Sequence, residues 1–199
     1  MRRVLILFGV AFVAGLVAVV AATAGERLIT GPDVAGPPDT STAGDGEAFA
    51  SFTDERTGFS LSYPADWRRV PVGSPAVRLL VAPPDGDDSI LVRVVTLEAD
   101  VTGDDLPAVR TFTDQLVREG ETVEVLGDPT RVEIGGLPGI QYLYTFEDAE
   151  SGRQGVHSHY FLFDGSTMYT IVLQALPVER FAELAPAFRV VIDSFEVST

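Results

Sequence analysis

The stretch DERTGFSLSYPADWRRV, residues 54–70, contains the pattern that decides the fold. Three apolar residues alternate with serines in it: Phe59, Leu61 and Tyr63. This alternation predicts a β-strand with one buried face. Pro64 has no N–H to donate to a sheet, so the strand should end there. The next turn carries Trp67, the only tryptophan of the chain, and we expect its large ring to cover the end of the sheet.

Strand patterns continue along most of the chain after this motif. The further predicted strands cover residues 77–82, 90–98, 122–126, 130–134, 139–147, 156–163 and 167–175. Turn-forming residues lie between them, at 83–89, Gly135-Gly136, 148–152 and Asp164-Gly165. Because short connections between successive strands favour hairpins, we expect a mostly antiparallel sheet.

The period changes to that of a helix in two places. A first helix should begin after Asp104-Asp105 and end near Gly120, with apolar residues at Val109, Phe112 and Leu116. A second should follow Pro177, with an apolar stripe made of Phe181, Leu184, Phe188, Val191, Ile192 and Phe195. Pro186 lies inside this stripe and should kink or restart the helix. The pattern predicts the α+β class and an α-β-α sandwich, with a central, mostly antiparallel sheet between two helices.

The opening motif also carries a family resemblance. The sequence TGFSLSYPADW, residues 57–67, resembles the N-terminal signature of the Mog1/PsbP-like superfamily, Gly-Phe-x-aliphatic-x-Tyr-Pro-x-x-Trp. The superfamily includes PsbP, Mog1, DcrB and actinobacterial cell-envelope lipoproteins. Its order of elements is similar to that of residues 54–197, down to the closing VIDSFEV. The resemblance implies the fold, whereas function differs among members. The chain has no cysteine, which excludes the thiol-linked lipid of the lipoprotein members.

The N-terminal segment, residues 1–24, is apolar and begins with the basic sequence MRR. Its uncharged run, residues 4–24, is long enough to span the hydrocarbon core of a bilayer. The arginines in front should stay in the cytoplasm, so the rest of the chain should lie outside. Two alternatives remain. The segment is either a single-pass transmembrane anchor or a signal peptide cleaved after Ala24, which closes an Ala-x-Ala sequence.

The remainder divides into a linker and a domain. Residues 25–48 are rich in Gly, Pro, Asp, Ser and Thr, which predicts a flexible extracytoplasmic linker. Residues 49–199 should form the Mog1/PsbP-like domain. The whole chain has 29 acidic and 14 basic residues, for a formal net charge of −15. So acidic a surface repels phosphate backbones, which argues against nucleic acid as a partner.

His157 and His159 are the only histidines of the chain, and they lie two residues apart on one face of a predicted strand. This spacing can place two imidazoles on one metal ion, but a zinc site needs a third protein ligand that the sequence does not identify. The alternative is a partly exposed strand face with two polar rings at its outer end. We favour this alternative and assign no metal site.

Two acidic clusters are the other candidates for chemistry: DGDDS at 85–89 and GDD at 103–105. The EF-hand spacing is absent from both, so we interpret them as a hairpin turn and a helix start. The chain has no nucleophile motif of the G-x-S-x-G or S-x-x-K type, no P-loop and no G-x-G-x-x-G. We therefore assign no catalytic residue, no cofactor-binding residue and no cofactor.

The sequence thus predicts a non-catalytic module that lies outside the cytoplasm and is tethered to the membrane. Its partner should be a protein or a cell-envelope component, and a membrane protein is one of the candidate partners. The alternative is a carrier that holds a lipid or other apolar ligand in a pocket between helix and sheet. The tyrosines and phenylalanines of residues 139–147 and 156–163 are the candidate lining of that pocket, and core packing is the competing explanation for them. An enzyme is the third hypothesis and would need a cleft in which a histidine meets a carboxylate.

Overall fold

The computed structural model of the chain describes residues 40–42, 48–84, 86–120 and 122–198. The predicted anchor or signal, residues 1–24, and most of the predicted linker lie outside these residues. Within the described ranges the elements are β1 (Thr40–Thr42), β2 (Ala48–Asp54), β3 (Phe59–Pro64), β4 (Arg68–Arg69), β5 (Val77–Ala82), β6 (Ser89–Val101), α1 (Leu106–Arg118), β7 (Glu124–Val125), β8 (Thr130–Ile134), β9 (Leu137–Glu147), β10 (Gln154–Ala175), α2 (Phe181–Asp193) and β11 (Glu196–Val197). None of the helices in these ranges has the length and apolar character needed to cross a bilayer.

The strands form two antiparallel sheets. The smaller sheet has the order β1-β2-β3-β11. The larger has the order β4-β5-β6-β10-β9-β7, and β8 pairs with β9 beside β7. The predicted α+β class and antiparallel pairing are confirmed. The opening motif, however, lies in the smaller sheet, because β3 pairs with β2 and with the C-terminal β11. Three residues of the predicted linker, Thr40–Thr42, pair with β2 as its edge strand.

The long strand β10 folds back on itself near Gly165, which has a φ of +54°. Its first half pairs with β9 and its second half with β6. The His157 Nε2 and Gln174 Oε1 atoms are 2.8 Å apart. In a straight strand, residues so far apart in sequence would be separated by roughly 55 Å. The predicted reversal at Asp164-Gly165 is therefore confirmed.

The core consists of two clusters of buried side chains. One cluster contains α1 residues and packs against β9 and β10, with Tyr142, Phe161 and Phe163 among its members. The other contains α2 residues, with Leu162 and Tyr169 of β10. Neighbouring residues of β10 thus belong to different clusters, as strand geometry requires. We call the face of the larger sheet that carries Tyr142 and Phe161 the α1 side, and the face that carries Leu162 and Tyr169 the α2 side. On α1, Thr113 is fully buried, and its hydroxyl lies 2.7 Å from the Tyr142 hydroxyl.

Trp67 has the structural role that the motif predicts. Its side chain is 7% exposed and packs edge-to-face on Phe188 of α2, with ring centroids 6.5 Å apart. The Trp67 N–H donates to the Pro64 carbonyl oxygen at 3.0 Å, which makes the tight turn after β3. The buried face of β3 carries the three apolar residues of the motif: Phe59, Leu61 and Tyr63. Both the strand and the return of the ring are confirmed.

The sequence predicts either a kink or a restart of helix α2 at Pro186. The helix runs from Phe181 to Asp193 through this proline, so the predicted restart does not occur. Pro186 lacks the N–H that would bind the Ala182 carbonyl oxygen. Both residues are on the exposed face of the helix, where solvent can satisfy that carbonyl, while Phe188 and Val191 on the other face are buried.

Candidate functional site

The two histidines meet at one tyrosine on the α1 side of the larger sheet. The Tyr144 hydroxyl is 3.0 Å from Nδ1 of His157 and 3.0 Å from Nδ1 of His159. The Phe146 ring stacks on His157 and the Phe161 ring on His159, each with centroids 4.2 Å apart. Both imidazoles are partly buried inside this aromatic stack. The two rings are partly exposed, as predicted, and aromatic side chains of β9 and β10 pack around them.

Burial keeps the cluster uncharged at neutral pH. Burial lowers the pKa of His157 to about 4 and that of His159 to about 3, from an ordinary value of 6.5. The hydrogen bond with Gln174 opposes the shift at His157, and the charge of His157 adds to the shift at His159. Burial also raises the pKa of Tyr144. A general base at pH 7 works best with a pKa near 7, so these imidazoles are poor candidates for acid–base catalysis.

Three of the four ring nitrogens of His157 and His159 face a hydrogen-bonding group of the protein. Both Nδ1 atoms face Tyr144, and Nε2 of His157 faces Gln174. Nε2 of His159 is buried and has no hydrogen-bond partner among the described residues. Within the same residues, no group of three or more His, Cys, Asp or Glu side chains is placed to hold a metal ion.

Residues 86–88 of the acidic cluster lie in the turn between β5 and β6, as predicted. The Asp87 and Asp88 carboxylates turn to different arginines. Asp87 pairs with the exposed Arg153. The Asp88 side chain is 1% exposed and accepts hydrogen bonds from Nε of Arg180 at 2.7 Å and from the Leu176 N–H at 3.0 Å. Asp88 therefore anchors the segment that leads into α2, and the two carboxylates do not share a ligand.

The cluster at 103–105 precedes α1, which confirms the predicted helix start. The Asp105 carboxylate turns back and accepts hydrogen bonds from the Thr102 N–H at 2.9 Å and the Thr102 hydroxyl at 2.7 Å. These bonds lower the pKa of Asp105. The carboxylate is thus occupied in a local turn and leaves α1 without a side-chain cap.

Two open grooves lie elsewhere on the described surface. The larger, about 590 Å³, is on the smaller sheet, and we call it the hydroxyl groove; among its lining residues are Ser51, Thr53, Ser60, Ser62, Asp193 and Glu196. The smaller, about 330 Å³, follows the outer edge of β5 and is lined in part by Arg69, Val72, Val77 and Leu79. The aromatic residues of β9 and β10 line neither groove. The alternating serines of the opening motif were the sequence signal for the hydroxyl groove.

Two solved structures are similar to this chain over most of its length. LpqN, described as involved in cell envelope biogenesis of Mycobacterium tuberculosis, is 16% identical with a TM-score of 0.56, covering 82% of this chain and 91% of LpqN. CyanoP, the cyanobacterial PsbP of Synechocystis sp. PCC 6803, is 19% identical with a TM-score of 0.54, covering 79% and 98%.

A crystal structure from Bacteroides thetaiotaomicron VPI-5482 is 16% identical with a TM-score of 0.53; the match covers 75% of this chain but only 48% of that one. This chain therefore spans about half of that protein. No curated protein sequence matches the chain. At these identities the structural neighbours establish the fold alone. The family model described as PsbP matches residues 47–197. The chain belongs to the PsbP family, and the Mog1/PsbP-like resemblance indicated by its opening motif is confirmed.

Proposed function

We propose that this chain is a non-catalytic binding module that works outside the cytoplasm. Residues 4–24 hold it at the membrane, and its domain binds a protein or a cell-envelope component. The observation that carries the proposal is the match of residues 47–197 to the PsbP family. The description of the neighbour LpqN, involved in cell envelope biogenesis, supports an extracytoplasmic setting. The uncharged run behind the basic MRR supports the tether and its orientation.

The chemistry of the described side chains supports a non-catalytic role. The histidines are neutral, and a low pKa makes each of them a weak base. Asp54 and Asp88 are bound to arginines, and Asp105 is bound to the backbone N–H of Thr102. No carboxylate of the described residues is ion-paired with a histidine. The enzyme hypothesis requires a cleft in which a histidine contacts a carboxylate.

The surface properties support a partner other than nucleic acid. The formal net charge of −15 repels a phosphate backbone. The hydroxyl groove, at about 590 Å³, falls in the size range of about 300–1,000 Å³ that is usual for binding sites. It offers hydroxyl groups and two carboxylates, which suit a neutral or basic polar surface.

The carrier alternative has less support, because the aromatic residues meant to line its pocket are packed against one another. Tyr142 and Phe161 are each about 1% exposed and meet edge-to-face with centroids 5.8 Å apart. The Tyr142 hydroxyl is held by Thr113 and Asp114 of α1, each at 2.7 Å. These contacts fill the space between α1 and the sheet where a lipid chain would lie.

We also propose that the larger sheet forms the middle layer of an α-β-α sandwich. The two core clusters support this arrangement, because α1 contributes to one and α2 to the other. Neighbouring residues of β10 divide between the clusters, as Phe161 and Leu162 do. Side chains on adjacent strand positions point to opposite faces, so the helices are expected on opposite sides.

Cross-linking in intact cells tests the proposed function. The chain has no lysine, so a carboxyl-reactive, membrane-impermeant reagent is required, and the many acidic residues provide its targets. We expect full-length chain purified under denaturing conditions to carry a second protein or an envelope polymer. Native mass spectrometry of untreated chain in mild detergent should show no stoichiometric lipid. A chain that stays uncross-linked and carries one lipid per copy would reject the binding module in favour of the carrier.

A further inference from the structure

The histidine cluster belongs to a network of hydrogen bonds in which each donor and acceptor is determined by its neighbour. The network starts at the Asp87 carbonyl oxygen, which only accepts hydrogen bonds. The Gln174 side-chain nitrogen lies 2.6 Å from it and must donate. The Gln174 Oε1 therefore faces Nε2 of His157, at 2.8 Å, and can only accept. It follows that Nε2 of His157 carries a hydrogen.

The remaining directions follow from this first assignment. A neutral imidazole has one N–H, so Nδ1 of His157 is bare and accepts the Tyr144 hydroxyl hydrogen at 3.0 Å. Tyr144 has then used its only hydrogen. Its 3.0 Å contact with Nδ1 of His159 requires that His159 donate from Nδ1. Neutral His159 is left with a bare Nε2, the buried atom that has no partner among the described residues. The two histidines are thus held in opposite tautomers.

We propose that this hydrogen-bond network, from Asp87 through Gln174, His157 and Tyr144 to His159, is a proton-sensitive lock on the α1 side of the sheet. By a lock we mean a set of hydrogen bonds that holds strands together while the histidines are neutral and is lost when either is protonated. It joins β9, both halves of β10 and the turn between β5 and β6 only while both imidazoles are neutral. A proton on Nδ1 of His157 displaces the Tyr144 donor. A proton on Nε2 of His159 creates a buried cation with no acceptor among the described residues. Either event breaks the lock.

The charged groups around the lock do not offer a site for that proton. Arg93 of β6 faces the same side of the sheet, two residues from Val95 of the α1 cluster, and is itself a cation. On α1, Asp114 is bound to Tyr142. In the β5–β6 turn, the Asp87 carboxylate is bound to Arg153. The exposed Glu124 of β7 is paired along the backbone with Thr145. Burial holds the pKa of both histidines well below 6.5, in agreement with a neutral-only network.

Nitrogen NMR of the full-length chain in detergent micelles, labelled with ¹⁵N histidine, tests the lock. Only two imidazoles contribute signals. At pH 7 we expect one ring protonated at Nε2 and the other at Nδ1, with single-histidine variants assigning them to His157 and His159. Neither should titrate near pH 6.5. Two rings in the same tautomer, or a wild-type titration near 6.5, would overturn the proposal without any mutant.

Two glutamine variants sharpen the test. Gln174→Glu places a carboxylate beside Nε2 of His157 and should raise the pKa of that ring by about 1 unit or more. Gln141→Glu is the matched control. Gln141 donates to Ser158 and Tyr160, 3.0 Å from each, and touches neither histidine, so both titrations should be unchanged. Equal shifts in the two variants would reject the assigned role of Gln174.

Discussion

Acidification from pH 7.5 to pH 5 should lower the free energy of unfolding of the domain by about 4 kcal/mol, through the two histidines alone. Burial lowers the pKa of His157 to about 4 and of His159 to about 3, whereas both return to an ordinary value of 6.5 on unfolding. The unfolded chain therefore binds protons that the folded chain does not. The contribution of the two histidines to the free energy of unfolding is complete above pH 6.5. It is lost progressively as the pH falls towards their folded-state pKa values.

The size of the effect follows from the pH interval. Each pH unit below 6.5 costs about 1.36 kcal/mol per histidine until the folded-state pKa is reached. At pH 5 each histidine therefore removes about 2 kcal/mol. For a domain with a typical stability of about 5–15 kcal/mol, this is a large fraction of the total.

Urea unfolding of the full-length chain in detergent, followed by tryptophan emission across this pH range, measures the loss. The matched control is the double variant His157→Gln with His159→Asn, which keeps amide hydrogen-bonding groups near the ring positions but does not titrate there. Its stability should change little over the same interval. If wild type and double variant lose stability in parallel, the histidines are not the cause, and acidic residues elsewhere would have to account for the loss.

Trp67→Ala should lower the free energy of unfolding by about 3–5 kcal/mol, because it removes a large buried ring and leaves a cavity beside α2. The ring is 7% exposed and packs on Phe188. The lost contact joins the end of β3 to the C-terminal helix, two elements that are far apart in the chain. The variant has no tryptophan, so circular dichroism during urea unfolding is the appropriate measurement.

The control for this substitution is Val72→Ala, in the loop that follows the same motif. Val72 is 37% exposed, so its truncation should change stability by less than about 0.5 kcal/mol. In the wild-type chain the tryptophan emission should be that of a buried indole. An unfolding midpoint of Trp67→Ala equal to that of wild type would contradict a structural role for the motif, as would water-like emission from the intact domain.

Much of the local structure was predictable because its signals are local. The strand at 77–82 and the strand at 130–134 have the bounds that the apolar pattern predicts. Gly135 and Gly136 both have positive φ, which glycine adopts without strain, and they connect β8 directly to β9. The turn at Pro64 and the return of Trp67 are likewise set by neighbouring residues.

Long-range pairing was not predictable in the same way. The sequence does not indicate that β11 pairs with β3, which places the opening motif in a second sheet. It also gave no reason to bury Thr113, whose hydroxyl lies 3.1 Å from the Arg110 carbonyl oxygen of its own helix and 2.7 Å from the Tyr142 hydroxyl that β9 brings to it. The histidine cluster has the same origin. Its tautomers depend on Tyr144 and Gln174, two residues that fold and register bring together.

The most direct test of the proposed function is the location of the domain in cells that make the full-length chain. Protease added to intact cells should degrade the domain, while untreated chain should stay in the membrane fraction with residues 1–24 attached. The proposed anchor, the apolar run 4–24 behind the basic MRR, predicts this result. A domain that resists protease until the cells are broken would contradict the extracytoplasmic module. Free protein in the medium that begins at Gly25 would contradict the tether.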